Sequence, residues 1–335
     1  MEQSPLQSTP AGALRFNTDS SKLEYYDGNQ WVNITSTSPE AQTGGTRGGM
    51  ATGGFNSDSQ RIDKIEISTT GNAVDFGQGH TGYTEKMGCS DRTRGIYAGG
   101  YKWQSAIGYF TIASGGDGVS FGSLVHNSHS GCGCSDSTRG IIFAGTAPGW
   151  AGSTGIEYIT IQTTGSNKDF GDITGEHSGA GGAMSSSTRA VKATNSPSPY
   201  SNTGAMGYVT ISTLGDHADF GDLTVDRQDA KGAANAVRGL WMGGSNLNVI
   251  DYINIATLGN AVDFGDIHNQ IRSGCAFSSR TRAISYCGYR TPQSDNSQQI
   301  DYVEIATTGN YLDFGDATEP CRAGAQYSNG HGGLG

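Results

Sequence analysis

From Thr46 onward the chain is built of short apolar runs separated by polar punctuation. Gly88-Cys89-Ser90, Gly95-Ile96-Tyr97-Ala98, Gly108-Tyr109-Phe110-Thr111-Ile112 and Gly118-Val119-Ser120-Phe121 follow one another in this way. Each piece is β-branched or aromatic and bounded by glycine, serine or aspartate, which is how strands read. Further along, Tyr252, Asn254 and Ala256 alternate with Ile253 and Ile255. That period of two belongs to a strand with one buried face. No stretch keeps a helical period with caps, so almost no helix is predicted.

The pattern repeats. An arginine opens a strand at Arg47, Arg94, Arg139, Arg189, Arg238 and Arg282, at separations of 47, 45, 50, 49 and 44 residues. A Phe-Gly pair closes each unit, with Phe76, Phe121, Phe170, Phe220, Phe264 and Phe314 separated by 45, 49, 50, 44 and 50 residues. Two independent markers agree on six units with the period of four-stranded propeller blades. The predicted fold is all-β: a six-bladed β-propeller of four-stranded antiparallel blades over residues 46–335. Its last turns carry a glycine in each unit, from Gly71 to Gly309, where a tight hairpin needs a positive φ. The first unit lacks its opening strand, and one spare strand, residues 323–327, follows the sixth Phe-Gly. The C-terminal strand is therefore expected to complete the first blade beside Gly48 to Gly53, which removes free sheet edges.

Residues 1–36 differ, and 37–45 read as a linker. Leu14-Arg15-Phe16-Asn17, a polar turn, and Lys22-Leu23-Glu24-Tyr25-Tyr26 through Trp31-Val32-Asn33 predict a β-hairpin module with Phe16, Tyr25, Tyr26 and Trp31 as its aromatic residues. So small a sheet is not stable alone, so it must pack on the propeller, on a second copy or on another protein.

The run Gly12-Ala13-Leu14-Arg15-Phe16-Asn17 with Leu23-Glu24-Tyr25-Tyr26-Asp27-Gly28 and Trp31 resembles a module of bacteriophage tail-fibre and other virion proteins, which implies a point of attachment or oligomerisation. The stretch Ile250-Asp251-Tyr252-Ile253 to Asp263-Phe264-Gly265-Asp266, with the double glycines Gly99-Gly100 and Gly243-Gly244, is similar to kelch-like repeats in structural proteins of marine phages, notably those of cyanobacteria. The resemblance implies a virion structural protein made in the host bacterial cytoplasm and residing on the tail or capsid surface. It implies other virion proteins as partners, a host surface glycan or protein as a ligand, and a homo-oligomer, a trimer by analogy with fibres. A tail-fibre or tail-tip component is the leading expectation. A capsid decoration or head-fibre protein is the alternative, and a glycan depolymerase a further one.

Composition narrows the chemistry. The 335 residues include 53 glycines and carry a net charge of −10, which disfavours a nucleic-acid backbone as partner. No apolar run is long enough for a membrane span. Six cysteines are too sparse for a disulfide scaffold. Cys132 and Cys134 read as buried small residues, and the seven histidines as surface-loop residues, so no metal and no cofactor is predicted. Asp-Phe-Gly recurs without a phosphate loop, and no triad or nucleophile elbow is present, so no catalytic residue is assigned and the chain is not read as an enzyme. The six arginines are expected to pair across strands or blades with repeat aspartates such as Asp75, Asp169, Asp219, Asp263 and Asp313, because a planar guanidinium suits a carboxylate. Recognition is expected in the loops that vary between units, with Trp103, Trp150, Tyr200, Tyr289 and Arg290 as candidate anchors.

Overall fold

The computed structural model describes residues 9–18, 22–34, 45–53, 59–173, 181–193, 202–291 and 293–334. The chain divides into two compact units, residues 1–42 and 43–335. Among the described residues the named elements are strands, apart from two single 3-10 turns at Pro148–Trp150 and Gly332–Leu334.

The N-terminal unit is a three-stranded antiparallel sheet of Leu14–Asn17, Lys22–Tyr26 and Trp31–Asn33. Its register sets Leu14 opposite Tyr25, Phe16 opposite Leu23, and Tyr25 opposite Val32, so these side chains share one face. The other face satisfies itself. Arg15 bonds Glu24 at 2.8 Å and lies 4.1 Å over the Trp31 ring, and Tyr26 packs on Trp31 at 5.4 Å. The apolar face stays open: Leu14 and Phe16 are 64% and 62% exposed.

The larger unit is a series of antiparallel four-strand meanders. One runs Met87–Ser90, Arg94–Ala98, Ala106–Thr111, Val119–Ser123, from innermost to outermost strand. The innermost strands of the rest are Cys132–Ser135, Ala183–Ser185, Lys231–Ala234, Cys275–Ser278 and Ala325–Ser328. The last belongs to the first repeat: Ala325–Ser328 pairs with Arg47–Ala51, Ala325 opposite Ala51 and Ser328 opposite Gly48. Each innermost strand neighbours the next, and Ala325–Ser328 neighbours both Cys275–Ser278 and Met87–Ser90. Two meanders are also joined at their far ends, where Gln270, Ile271 and Arg272 pair with Thr291, Arg290 and Tyr289.

The repeated residues explain themselves through contacts between neighbouring sheets. Each repeat arginine stacks on a ring of its own sheet and donates to a carbonyl of the next. Arg94 lies 4.5 Å over Tyr109 and donates to Ile161, and Arg139 lies 4.6 Å over Tyr158 and donates to Ile211. Arg189 and Arg238 repeat the pattern on Tyr208 with Ile255 and on Tyr252 with Ile305. Arg47 reaches Ile112, and Arg282, over Tyr302, reaches Ile67. This corrects the expected pairing with repeat aspartates. Asp75, Asp169, Asp219, Asp263 and Asp313 are solvent-exposed, and the only carboxylates bonded to repeat arginines among the described residues are Glu66 and Glu304, by Arg47 and Arg282. The accepting carbonyls stand just past the third strand of the neighbouring sheet, and there a fork of N–H donors is worth more than an ion pair in water.

The Phe-Gly marker has a different cause. Phe121, Phe170, Phe220, Phe264 and Phe314 meet Tyr109, Tyr158, Tyr208, Tyr252 and Tyr302 edge-on at 5.9–6.1 Å. The glycine behind the ring touches the next sheet's turn. A Cβ on Gly265 would stand 2.4 Å from the Gly309 carbonyl oxygen, and Gly265 holds φ +151°. The turn in turn donates back, Gly309 N–H to Phe264 C=O at 2.9 Å. The same bond joins Gly71 to Phe314, the first repeat to the last.

Packing follows this arrangement, since the apolar clusters straddle neighbouring sheets. Met50, Ile65 and Ile67 of the first repeat pack with Phe277, Ile284 and Phe314 of the last. Around the axis, Ser90, Ser135, Ser185, Ser278 and Ser328 are buried and bond the backbone of adjacent innermost strands, as in Ser135 Oγ to Ser90 C=O at 2.6 Å.

Candidate functional site

A meander sends its first and third turns to one end of the axis and its second turn and connectors to the other. The first end is uniform. Asp91, Asp136 and Asn235 each accept from the backbone N–H of the repeat arginine that follows, at 2.6–2.7 Å. Asn329 does the same for Arg47 at 2.9 Å across 282 residues. The chain then turns into the axis and closes this end. His331 Nε2 donates to Ser90 C=O at 2.8 Å, Gly333 N–H donates to His331 Nδ1 at 3.1 Å, and Arg92 donates to Leu334 C=O.

The opposite end opens into a cavity of about 220 Å³. Its rim includes the residue two places before five of the six innermost strands, all but Ala183–Ser185. Glu85, Ser130, Asp229, Ser273 and Ala323 all hold left-handed φ between 52° and 62°, a conformation that costs a residue with a Cβ about 1–2 kcal/mol. They are held there by one another: Glu85 N–H donates to Ala323 C=O, Ser130 N–H to Glu85 C=O, and Ala323 N–H to Ser273 C=O.

Charged side chains face this cavity. Glu85 accepts from Ser130 at 2.7 Å and pairs with His129 Nδ1 at 2.6 Å. Burial pushes its carboxyl up, but these hydrogen bonds outweigh burial and hold it below the ordinary value. Asp229 takes only a 3.4 Å bond from Ser273 on one oxygen, and its Oδ1 is buried without a partner among the described residues. Burial raises its carboxyl. Lys231 and Arg272 also line the cavity, and neither makes an ion pair among the described residues. Lys86 contributes to the wall, but its ammonium bonds Thr81 at 2.7 Å and faces the Tyr97 ring. No group of three metal-ligating side chains occurs among the described residues.

The candidate anchors divide around this end. Trp103 is half-buried, with φ +56°, and packs on His129 of the cavity wall at 6.0 Å. Tyr289 stands between the guanidinium groups of Arg272 and Arg322, at 4.8 and 5.7 Å. Arg290 is spent on Asp295, which it grips with two bonds of 3.0 and 3.2 Å. Trp150 lies in the turn Pro148–Trp150, but its side chain falls outside the described residues, as does Tyr200 altogether. The surface-loop reading of the histidines is corrected for His129 and His217, which are buried. Cys89, Cys132, Cys134 and Cys275 are buried free thiols. Cys287 and Cys321 form a disulfide across 34 residues, which the count of cysteines did not suggest.

Sequence reasoning also missed a set of buried carboxylates on the third strands. Asp63, Glu157, Asp251 and Asp301 sit in an Ile-(Asp/Glu) pair on four of the six third strands and are 0–7% exposed, with Gly108 and Gly207 at the matching place in the other two. Each anchors the connector entering its own sheet. Glu157 accepts from the backbone of Val125 and His126, Asp251 from Thr224 and Arg227, Asp301 from His268, and Asp63 from Thr318. The visible signal was an acid inside an otherwise apolar strand. These groups stiffen the base of the open end.

No protein-family model matches this chain, and a search of curated proteins finds no similar sequence.

Proposed function

We propose that residues 46–335 form a six-bladed β-propeller and that the protein is a virion structural component of a bacteriophage. In this reading the open end of the axis recognises a host surface, and the N-terminal sheet attaches the protein to the particle. Three features support the architecture: the six-unit sequence period, the arginine-to-carbonyl bonds that run from each repeat to the next and from the last to the first, and the strand lent by the C-terminus. The phage assignment rests on the resemblance of residues 12–31 and of the repeats to phage structural proteins.

The observation that carries the recognition reading is the asymmetry of the two ends. One is uniform and sealed by the chain's own last turn. The other holds a charged cavity rimmed by strained residues, and backbone strain of this kind gathers at functional sites. The open apolar face of the N-terminal sheet supports attachment, because a three-stranded sheet needs a covered face to persist. Copies of this chain in a homo-oligomer, or another virion protein, supply that cover.

The test is electron cryomicroscopy of the intact particle with the protein labelled. Label at the tail tip or fibre sustains recognition. Label on the capsid shell replaces it with a decoration or head-fibre role.

A further inference from the structure

We infer that the sealed end carries an acid-operated latch, in which protonation of His331 releases the chain's last turn, residues 330–334, from the innermost strands. The latch uses this chain alone and is independent of host recognition.

One ring and two backbone groups build it. Gly333 N–H can only donate, and it meets His331 Nδ1 at 3.1 Å. Ser90 C=O can only accept, and it meets Nε2 at 2.8 Å. Together they fix the neutral ring with its hydrogen on Nε2, and Ser135 Oγ stands 3.3 Å from the same nitrogen. A second proton has one place to go, Nδ1, where it sets an N–H against the N–H of Gly333. The neutral ring keeps both bonds, and the charged ring must give one up.

The segment held by the ring fits its neighbours closely. A Cβ on Gly332 would run into Asn235 C=O, and one on Gly333 into Ser135 C=O. Leu334 is 2% exposed, and its carbonyl accepts from Arg92. So close a fit leaves no room for a small shift that would relieve two facing donors. The turn therefore leaves as a unit, and Leu334 with it.

The groups around the ring set the balance. Burial is the largest influence and holds the imidazole below its ordinary value of 6.5. The Ser90 carbonyl and the carboxylates of Asp91 and Asp136 favour the proton, and the guanidinium of Arg92 opposes it. Both carboxylates are engaged in their own turns: Asp91 accepts from Thr93, Arg94 and Gln162, and Asp136 from Thr138 and Arg139. Cys89, Cys134 and Tyr327 line the chamber beside His331, and burial raises all three, so they stay neutral. Below the ordinary value of 6.5 the released turn binds the additional proton, so release grows as pH falls, by up to about tenfold per pH unit.

The experiment is hydrogen–deuterium exchange of the full chain at about pH 7.5 and about pH 5, corrected for intrinsic rates, with the His331 ring titrated by NMR. Protection of residues 330–334 is expected to fall about tenfold at the lower pH, while that of Cys132–Ser135 stays. His331→Gln keeps an amide N–H for Ser90 and takes up no proton, so its last turn should be equally protected at both pH values. Thermal unfolding confirms that the variant folds. If it does not, the parent alone decides, because protection must be lost at the pH where the ring titrates. Equal protection of the parent's turn at both pH values, a loss that survives in His331→Gln, or a loss away from the ring's titration overturns the inference.

Discussion

Arg282 and Ile67 lie 215 residues apart, and the guanidinium of the first donates to the carbonyl oxygen of the second at 3.2 Å. The same guanidinium lies 4.5 Å over Tyr302 and bonds Ser68 C=O. One side chain thus ties its own sheet to the first repeat by stacking and by hydrogen bonds to neutral acceptors. Arg282→Ala is expected to cost about 2–4 kcal/mol, from a partly desolvated cation–π contact and charge-assisted bonds. Lysine keeps the charge but neither the plane nor the fork, so Arg282→Lys should lose most of the same amount. Asp313→Ala, at an exposed carboxylate, should stay within about 0.5 kcal/mol of the parent. Urea denaturation of the three variants checks this, and a large loss in Asp313→Ala would restore the ion-pair explanation.

Gly265 and Gly309 separate two reasons for a conserved-looking glycine within the repeat. Both hold positive φ, +151° and +159°. Only Gly265 is pressed against a neighbour, with its missing Cβ 2.4 Å from a backbone oxygen, whereas nothing lies within 4 Å of the corresponding point on Gly309. Gly309→Ala should therefore cost about 1 kcal/mol, the backbone preference alone. Gly265→Ala should cost above about 3 kcal/mol, since a sheet must shift to admit the methyl group. Equal melting temperatures for the two variants would show that the close approach contributes nothing.

The strand positions, the six-unit period and the pairing of the C-terminal strand with Arg47–Ala51 were legible because they rest on local pattern and on counting. The partners of the repeat arginines were not. A sequence names every carboxylate, yet any residue offers a carbonyl, so a cation that seeks neutral oxygens leaves no partner signal. Cys287 and Cys321 were illegible for a related reason, since six cysteines permit 15 full pairings. The cavity is the least readable feature. Glu85, Asp229 and Arg272 precede three different innermost strands, and only the contacts between those strands bring them to one cavity. The strained rim gave a faint sign, an acid, serine or alanine two places before five of the six small-residue strands.

The disulfide ties the strand Arg282–Thr291 to the connector that feeds the last innermost strand, Ala325–Ser328. It therefore guards the point where the chain's end joins its beginning. Closing a loop of 34 residues is worth about 3–4 kcal/mol in chain entropy. Cys321→Ser should lower the melting temperature, dithiothreitol should lower the parent's by the same amount, and the variant should not respond to the reductant. A parent indifferent to reduction would mean that the linkage does not stabilise the fold.

Lys86 gives the fold a pH dependence of predictable sign. Its side chain is buried at 4% exposure, and burial pushes its ammonium from the ordinary value of 10.5 down to about 7. In the folded chain the group is neutral above about pH 7, while in the unfolded chain it stays charged to about pH 10.5. Between those values the unfolded state binds the additional proton, so stability from this group rises with pH. Below about pH 7 the full penalty for burying the charge applies, on the order of 5 kcal/mol. Lys86→Met removes it. The variant should be the more stable protein at about pH 6, and its advantage should shrink steadily until the two chains coincide near pH 10. Urea midpoints of parent and variant across that range decide the matter, and a difference that does not change with pH would mean the ammonium keeps its proton in the folded state.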